Sequence, residues 1–410
     1  MLIHRPLYES RIAESLGTPA IKVLKGVRRC GKSSLLLLLS ERLETSGVPT
    51  RNIFYRRMDQ FGVPLDPDAQ WLQGEVLRAM AGADKESPLY VLLDEVQDVR
   101  GWEKVVRRLH TAPNAEVFVT GSNAHVLSSD LSTLLGGRFE EIDVFPLSFA
   151  EYVEFAAETD GSRQSRDDLF AAYVRFGGMP AQFDLPRRNE DALGQMLRTV
   201  YETIILNDVA LHERIGDMDL LSKLVRYVFT TSGSLFSTRS IVNALANSGR
   251  KTSSETVDNY LRALENALIV RGCEQEGVAG KRVLRPLRKY YPADNGLRNL
   301  MTGFSPRDFG AQLECVVFNE LIRRGYAVTV GVLEGGTEVD FVARRRSEKI
   351  YVQVCESLAS EEACARELRP YERVRDSFPK LVLALGRYRL GTTETGVRIV
   401  NLIDWLLGEE

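Results

Sequence analysis

Residues 20–33 read Ala20-Ile-Lys-Val-Leu-Lys25-Gly26-Val-Arg-Arg-Cys-Gly31-Lys32-Ser33. The short apolar run up to Lys25 predicts a buried strand that runs straight into Gly26, and a Leu-rich helix is expected from Ser33 to Leu43. Between them stands G-x-x-x-x-G-K-[ST], a loop whose glycines let backbone N–H groups converge on an anion. The positive end of the helix adds to that attraction, Lys32 is placed to neutralise β and γ phosphates, and the Ser33 hydroxyl is placed to ligate magnesium. The expected nucleotide-binding residues are Gly26, Val27, Arg28, Arg29, Cys30, Gly31, Lys32, Ser33 and Ser34, with ATP or GTP as the ligand. A chance match in a glycine-containing turn is the bland alternative, and the strand before and helix after argue against it.

Outward from this loop the chain alternates. Strands are expected at Asn52–Met58, Leu89–Leu93 and Glu116–Thr120, and helices around Ala69–Met80 and Trp102–His110, the pattern of a parallel α/β sheet. Tyr90-Val-Leu-Leu-Asp94-Glu95 is an apolar strand ending in two carboxylates. Alone, such a pair is a commonplace of turns. Beside a phosphate loop it suits phosphoryl transfer, with Asp94 holding the magnesium shell and Glu95 polarising the attacking water.

The chain has 410 residues, which at roughly 100–200 residues per domain predicts two to four domains. Lys plus Arg is 53 and Asp plus Glu is 56, a net charge of −3, with 44% hydrophobic and 27% charged residues, which excludes a disordered, collagen-like or globally basic protein. The apolar run Leu35–Leu39 is far short of the roughly 20 residues that span a bilayer, and the charged start (His4, Arg5, Glu9, Arg11) has no apolar signal core. Cys30, Cys273, Cys315, Cys355 and Cys364 are scattered without the paired spacing of a zinc site or disulfide framework. A cytoplasmic protein without a membrane span is the expectation.

Beyond Val144 the strand signal stops. Leu147–Ala157, Asp167–Phe176 and Asp191–Leu206 have helical spacing, and the segment Leu220–Pro292 carries a helix-turn-helix pattern in Ser240–Ala246, Asn247–Lys251 and Ser253–Leu264. Its second helix buries Val257, Leu261 and Leu264 and exposes Glu255, Asp258, Asn259 and Arg262, a mixed face that needs Arg250 and Lys251 nearby to attract phosphate. Lys281, Arg282, Arg285, Arg288 and Lys289, followed by Tyr290 and Tyr291, form an acid-free tract where a wing hairpin would lie. Protein docking and a merely solvated edge strand are equally open readings of this segment. From Gly310 a helix to Arg324 precedes strands Ala327–Val332, Glu338–Ala343, Ile350–Val354 and Lys380–Leu385, a second α/β domain. The expected boundaries are 1–145, 146–215, 216–292 and 293–410.

Gly26–Ser33, Asp94-Glu95, then Thr120-Gly-Ser-Asn123 and Leu135-Gly-Gly-Arg138-Phe resemble, in order and spacing, the AAA+ ATPases. The resemblance implies that Asn123 orients the attacking water as sensor 1 and that Arg138 is an arginine finger completing a neighbouring subunit's site, hence a homo-oligomer, with a ring as the expected form. More narrowly, Gly137-Arg-Phe-Glu-Glu-Ile-Asp-Val-Phe-Pro-Leu-Ser-Phe-Ala-Glu-Tyr152, Phe176-Gly-Gly-Met-Pro180 and Tyr291-Pro-Ala-Asp294-Asn-Gly-Leu297 look like the prokaryotic AAA+ family fused to a C-terminal domain of unknown function. That resemblance covers nearly the whole chain and implies an ATPase core, a helical lid, a winged helix and a nuclease-like C-terminal domain. The lid offers no obvious sensor 2 arginine, Arg175 and Arg187 being the candidates.

Glu314 in a helix, Asp340 in a strand and Gln353 ending the next strand resemble the restriction-endonuclease-like fold, in which such groups converge on magnesium. That signature closes on a lysine, and this chain has Cys355 there, with Lys349 too far along the strand to replace it. A thiol does not stabilise a pentacovalent phosphate, so a binding scaffold is expected ahead of a nuclease. The functional expectation is a Mg2+-dependent, oligomeric ATPase that handles DNA or another macromolecule. The alternatives are a slow ATP-controlled switch acting through protein partners and, least favoured, an ATP-dependent nuclease.

Overall fold

The computed structural model describes residues 2–112, 114–122, 137–160, 164–211, 213, 215–276, 287–333 and 337–409. It divides into two compact units, 1–146 with 266–268 and 147–265 with 269–410. No helix among the described residues is long and apolar enough to cross a membrane.

The first unit begins with α1 (Pro6–Ser15) and β1 (Ile21–Lys25), followed by α2 (Lys32–Thr45), β2 (Ile53–Arg57), α3 (Ala69–Gly82), β3 (Leu89–Asp94), α4 (Trp102–Leu109), β4 (Ala115–Gly121) and β5 (Phe139–Asp143). The strands form one parallel sheet in the order β2-β3-β4-β1-β5. This is the α/β core that the strand–helix alternation predicts. Strands β1 and β3 are buried almost end to end, as befits a sheet covered on both faces. Leu72 and Val76 of α3 and Val105, Val106 and Leu109 of α4 pack on Val91, Leu93, Val117 and Val119, each such side chain contributing about 1.5–3 kcal/mol of transfer free energy. Helix α3 starts where Asp68 accepts a hydrogen bond from Trp71 N at 3.0 Å, an N-cap that satisfies one orphan amide.

Strand β1 lies between β4 and β5, so the sheet order reverses there. In open α/β sheets the ligand crevice opens at the carboxyl ends of the strands at such a reversal.

The second unit opens with helices α5 (Phe149–Asp160), α6 (Arg166–Phe176) and α7 (Glu190–Thr203), the last running on as a π-helix, Ile204–Leu211, where the periodicity predicts one helix to Leu206. Helices α8 (Met218–Thr230), α9 (Thr238–Asn247) and α10 (Ser254–Asn266) follow, then a β6 (Val270–Glu274) and β7 (Arg288–Pro292) antiparallel pair. Val257, Leu261 and Leu264 are buried, the face that their spacing predicts. After α11 (Asn295–Thr302) and α12 (Phe309–Arg323) comes a mixed sheet of β8 (Ala327–Val332), β9 (Glu338–Arg345), β10 (Glu348–Cys355), β11 (Lys380–Ala384), β12 (Gly391–Thr392) and β13 (Val397–Asn401) in the order β12-β13-β11-β10-β9-β8. Helix α13 (Glu361–Leu368) links β10 to its parallel neighbour β11, and α14 (Leu402–Leu407) closes the unit.

Two glycine motifs far apart in sequence meet inside this unit. Asp294 caps α11, accepting from Leu297 N at 3.2 Å, and its other oxygen accepts from Gly178 N at 2.6 Å. Gly177 has φ +77°, and a Cβ there would lie 2.0 Å from Asp294 Oδ1, so only glycine fits. Asn299 Nδ2 donates to the carbonyls of Val174 and Arg175 at the end of α6, at 3.0 and 2.9 Å. Residues 176–180 and 291–299 are therefore one buried clasp.

Burial raises the Asp294 carboxyl from 3.8 to about 6 against the three backbone amides that oppose it. A folded-state value above the unfolded one means the folded protein holds the proton more tightly, so stability falls as pH rises through this window and stays low above it. Between pH 4.5 and 7 the native chain is expected to lose about 2 kcal/mol relative to Asp294→Asn. Urea unfolding of both proteins at the two pH values measures this. Parallel pH dependence in the two would remove Asp294 as the cause.

Candidate active site

The phosphate loop begins where β1 ends. A Cβ on Gly26 would meet Val144 O at 2.2 Å and Cys30 Sγ at 2.6 Å, so the loop passes the end of β5 with no room for a side chain. Arg29 (φ +65°) and Gly31 (φ +104°) take left-handed conformations on either side of Cys30. Alternation of this kind curls the backbone into a concave anion nest. Gly31 is the N-cap of α2, so the nest opens at the positive end of a helix. Lys32 is 3% exposed and folds back on the loop, donating from Nζ to Gly26 O at 2.9 Å and Val27 O at 3.3 Å. Ser33 and Ser34 are half-buried on the first turn of α2, Arg28 is half-buried, Arg29 is exposed, and Val27 and Cys30 are buried. The Cys30 thiol is pushed up by burial, in spite of Lys32 and Arg5, which makes it a packing group rather than a nucleophile.

Asp94 ends β3 and is fully buried. Its Oδ1 accepts from Thr120 Oγ1 at 2.6 Å and its Oδ2 from Tyr55 OH at 3.1 Å. Burial and then the Asp94 charge push the Tyr55 hydroxyl up, so it stays a donor. The same Thr120 oxygen accepts from Glu95 N at 2.9 Å. Glu95 has φ +54°, a left-handed conformation that costs a non-glycine residue about 1 kcal/mol or more and clusters at functional sites. The turn brings Glu95 Oε1 to 4.0 Å from Lys32 Nζ, and Gln97 Nε2 holds the other carboxylate oxygen. Tyr55 belongs to no motif in the sequence, and Thr120 enters there only as the first residue of the Thr120–Asn123 segment, with no role of its own. Their roles follow from β2 pairing with β3 and β3 with β4, which places the ends of three strands side by side.

Magnesium at a phosphate loop takes a hydroxyl, phosphate oxygens and carboxylate-bound water rather than a full protein cage. The Ser33 hydroxyl and the doubly held Asp94 carboxylate fit that demand, and the ion would supply positive charge against the phosphates. Among the described residues, no group of three or more His, Cys, Asp or Glu side chains is arranged to hold a metal.

Asn123 lies outside the described residues, just past Gly121 at the end of β4. Arg138 is exposed and stands at the start of β5, its carbonyl accepting from Ile21 N at 3.0 Å. Since β1 and β5 run parallel, Arg138 is at the end of the sheet away from Gly26, about 20 Å along the strands from its own loop.

In the second unit Arg250 is paired with Asp217 and Asp219, Arg288 with Glu274, and Arg262 donates to Asn259 Oδ1 at 2.8 Å, while Lys251 is exposed. Lys281, Arg282 and Arg285 lie outside the described residues. Lys289, expected on the exposed tract, is instead 4% exposed, 3.6 Å from Glu314 Oε2 and 3.7 Å from Glu338 Oε2. Residues two apart on a strand share a face, so Lys289 and Tyr291 both point inward, and Tyr291 OH donates to Glu314 Oε2 at 2.9 Å. Glu314, Asp340 and Gln353 do come together: Asp340 N donates to Gln353 Oε1 at 3.3 Å, and the Glu314 charge helps burial push the Asp340 carboxyl well up. Asp340 Oδ2 accepts from Val354 N at 2.8 Å, and Gln353 Nε2 donates to Glu367 Oε2 at 3.1 Å. The Cys355 thiol is pushed up to about 12, first by burial. Of the sensor 2 candidates, Arg175 pairs with Glu190 and lies over the Phe176 ring, and Arg187 is exposed.

Residues 18–153 match the AAA domain family, and residues 167–308 match a domain of unknown function (DUF8612). An uncharacterized protein of Haemophilus influenzae is 34% identical over 406 residues, covering 99% of both chains. The chain is an AAA-domain protein of the same family. An uncharacterized protein of Methanocaldococcus jannaschii is 27% identical over 362 residues, 86% of this chain and 78% of that one. Among solved structures, a Walker-type ATPase of Pyrococcus abyssi superposes with a TM-score of 0.52 at 18% identity, covering 73% of this chain and 95% of the other, a likeness of fold. The AAA domain thus contains the phosphate loop, Asp94, Glu95 and Arg138 on its five-stranded parallel sheet.

Proposed function

We propose that the protein is a magnesium-dependent ATPase that assembles with copies of itself, most simply as a ring, and couples ATP hydrolysis to handling DNA or another macromolecule. The observation that carries this reading is the Thr120 hydroxyl, which at once donates to Asp94 and receives Glu95 N, setting one carboxylate for the metal shell and the other 4.0 Å from Lys32. In this reading the loop amides and Lys32 hold the phosphates of ATP, and Glu95 takes the proton of the water attacking the γ phosphorus, releasing ADP and phosphate. Asn123 is proposed to orient that water. Arg138 sits too far from its own loop to touch that nucleotide, which favours its use by a neighbouring copy.

DNA contact rests on Lys251, Arg250, Arg262 and the tract from Lys281 to Arg288. Of the described members, Arg250 and Arg288 are engaged by acids, so the DNA half of the proposal is carried by Lys251, Arg262, Lys281, Arg282 and Arg285. We read the order α12, β8, β9, β10, α13, β11 as restriction-endonuclease-like, and α8 to β7 as a winged helix. With Cys355 in the lysine's place and Lys289 already neutralising Glu314, this region suits binding better than cleavage.

Steady-state ATP hydrolysis with magnesium, with and without single-stranded, duplex and branched DNA, tests the proposal. Glu95→Gln and Arg138→Ala are each expected to lower the rate on the order of a hundredfold or more. Mixing the two inactive variants should restore part of the rate, because a Glu95→Gln subunit can lend Arg138 to a neighbour with an intact Glu95. No recovery on mixing would remove the shared site, and a rate indifferent to every DNA would redirect the search to a protein partner.

A further inference from the structure

Arg5 precedes α1 and is 2% exposed, a charged side chain taken out of water within the first unit. Its Nη1 donates to Cys30 O at 2.8 Å and its Nη2 to Phe145 O at 3.0 Å, while the guanidinium lies 4.4 Å from the Tyr8 ring centroid. Tyr8 OH in turn accepts from Phe145 N at 3.1 Å, and Arg5 N donates to Glu9 Oε1 at 2.7 Å. The N-terminal arm is therefore wedged behind the phosphate loop and the end of β5.

In a trans peptide, C=O and N–H lie in one plane and point in opposite directions. A carbonyl held on one side of a loop aims the next residue's amide to the other side. Cys30 O, held by Arg5, belongs to the same peptide plane as Gly31 N–H, so the bond directs that amide away from Arg5. Lys32 approaches the loop through Gly26 O and Val27 O, at the other end of the same turn. Few other side chains offer this fork, since a guanidinium presents paired donors in a fixed plane.

We propose that Arg5 is a positioning residue for nucleotide binding: it locks the Cys30–Gly31 peptide so that the Gly31 amide faces the phosphates. This rests on the loop being the nucleotide site. Neutralising Arg5 leaves a flat-lying loop peptide free to turn over, which withdraws one donor from the phosphate without touching Lys32, Asp94 or Glu95.

The test is binding of MgADP by calorimetry and the melting temperature of the nucleotide-free protein for the native chain, Arg5→Met, Arg5→Lys and Tyr8→Phe. Tyr8→Phe removes the bond to Phe145 N but leaves the Cys30 carbonyl held. Arg5→Met is expected to raise the Kd for MgADP about tenfold and Arg5→Lys, which keeps one donor, by a smaller factor, with Tyr8→Phe within twofold of native. In hydrolysis assays Arg5→Lys should raise KM with kcat within twofold of native. Should Arg5→Met not fold, Arg5→Lys carries the test. A native-like Kd for the Arg5 variants, or an equal loss in Tyr8→Phe, overturns the role of Arg5 and leaves the nucleotide site standing. A native chain that binds no MgADP overturns both.

Discussion

Lys32→Ala is expected to weaken MgADP binding on the order of a hundredfold or more and to bring ATP hydrolysis below detection. In the nucleotide-free protein the Lys32 ammonium is buried and hydrogen-bonded to two backbone carbonyls, Gly26 O and Val27 O, with Glu95 Oε1 4.0 Å away. Phosphate oxygens replace neutral acceptors with charged ones, and charge-assisted bonds in a site shielded from water are about twice as strong. Truncating one partner of such a buried charged pair costs about 2–5 kcal/mol, and each 1.4 kcal/mol is tenfold in binding. Alanine frees the two carbonyls and takes a cation from 4.0 Å beside Glu95, whose carboxylate keeps its bond from Gln97, so the nucleotide-free melting temperature should move by a few degrees at most. Calorimetric titration beside a thermal melt separates the two effects. Binding within fivefold of native would mean that the phosphates sit elsewhere.

Lys289→Met carries the largest expected effect on stability, a loss of about 3–5 kcal/mol from the second unit. The side chain is 5% exposed among carboxylates of two elements: Glu314 of α12 and Glu338 and Asp340 of β9. Burial alone would lower its pKa, but the charges of Glu314, Asp340 and Glu338 together hold it raised. Once the lysine is gone, Glu314 and Asp340, already pushed up by burial, face each other without a counter-charge. The loss should deepen as pH rises, because the folded state then has to ionise acids it prefers protonated. Removing both sides of the pair is far cheaper than removing one, so Lys289→Met with Glu314→Gln should recover much of the stability. Urea midpoints of the single and double variants at pH 5 and pH 8 report all three expectations. A single variant within 1 kcal/mol of native would show that the cluster does not depend on its lysine.

The Lys289 cluster also illustrates where reading along the chain stops. Lys281 to Lys289 looks uniformly basic, and composition does not say which way each side chain points. Strand periodicity turns Arg288 outward to Glu274 and Lys289 inward to Glu314, and the helix that supplies Glu314 comes twenty-five residues later by numbering. Thr120 is a similar case. In the sequence it only opens the Thr120–Asn123 segment, and it becomes the joint of the site because β4 pairs beside β3.

Features written in local spacing could be read along the chain. The Gly26–Ser33 loop, the apolar strand ending in Asp94-Glu95, the strand–helix alternation of a parallel sheet and the buried face of α10 all repeat over a few residues, and backbone geometry turns such patterns directly into structure. It took the fold to show that Arg5 braces Cys30, that Tyr55 and Thr120 hold Asp94, that Gly177 and Gly178 close on Asp294, and that Arg138 stands at the far end of the sheet from its own loop. These contacts join residues from twenty-five to more than a hundred positions apart. A hydrogen bond lasts only where both partners are held within about 3 Å of each other, and over such separations strand order and helix packing alone set that distance.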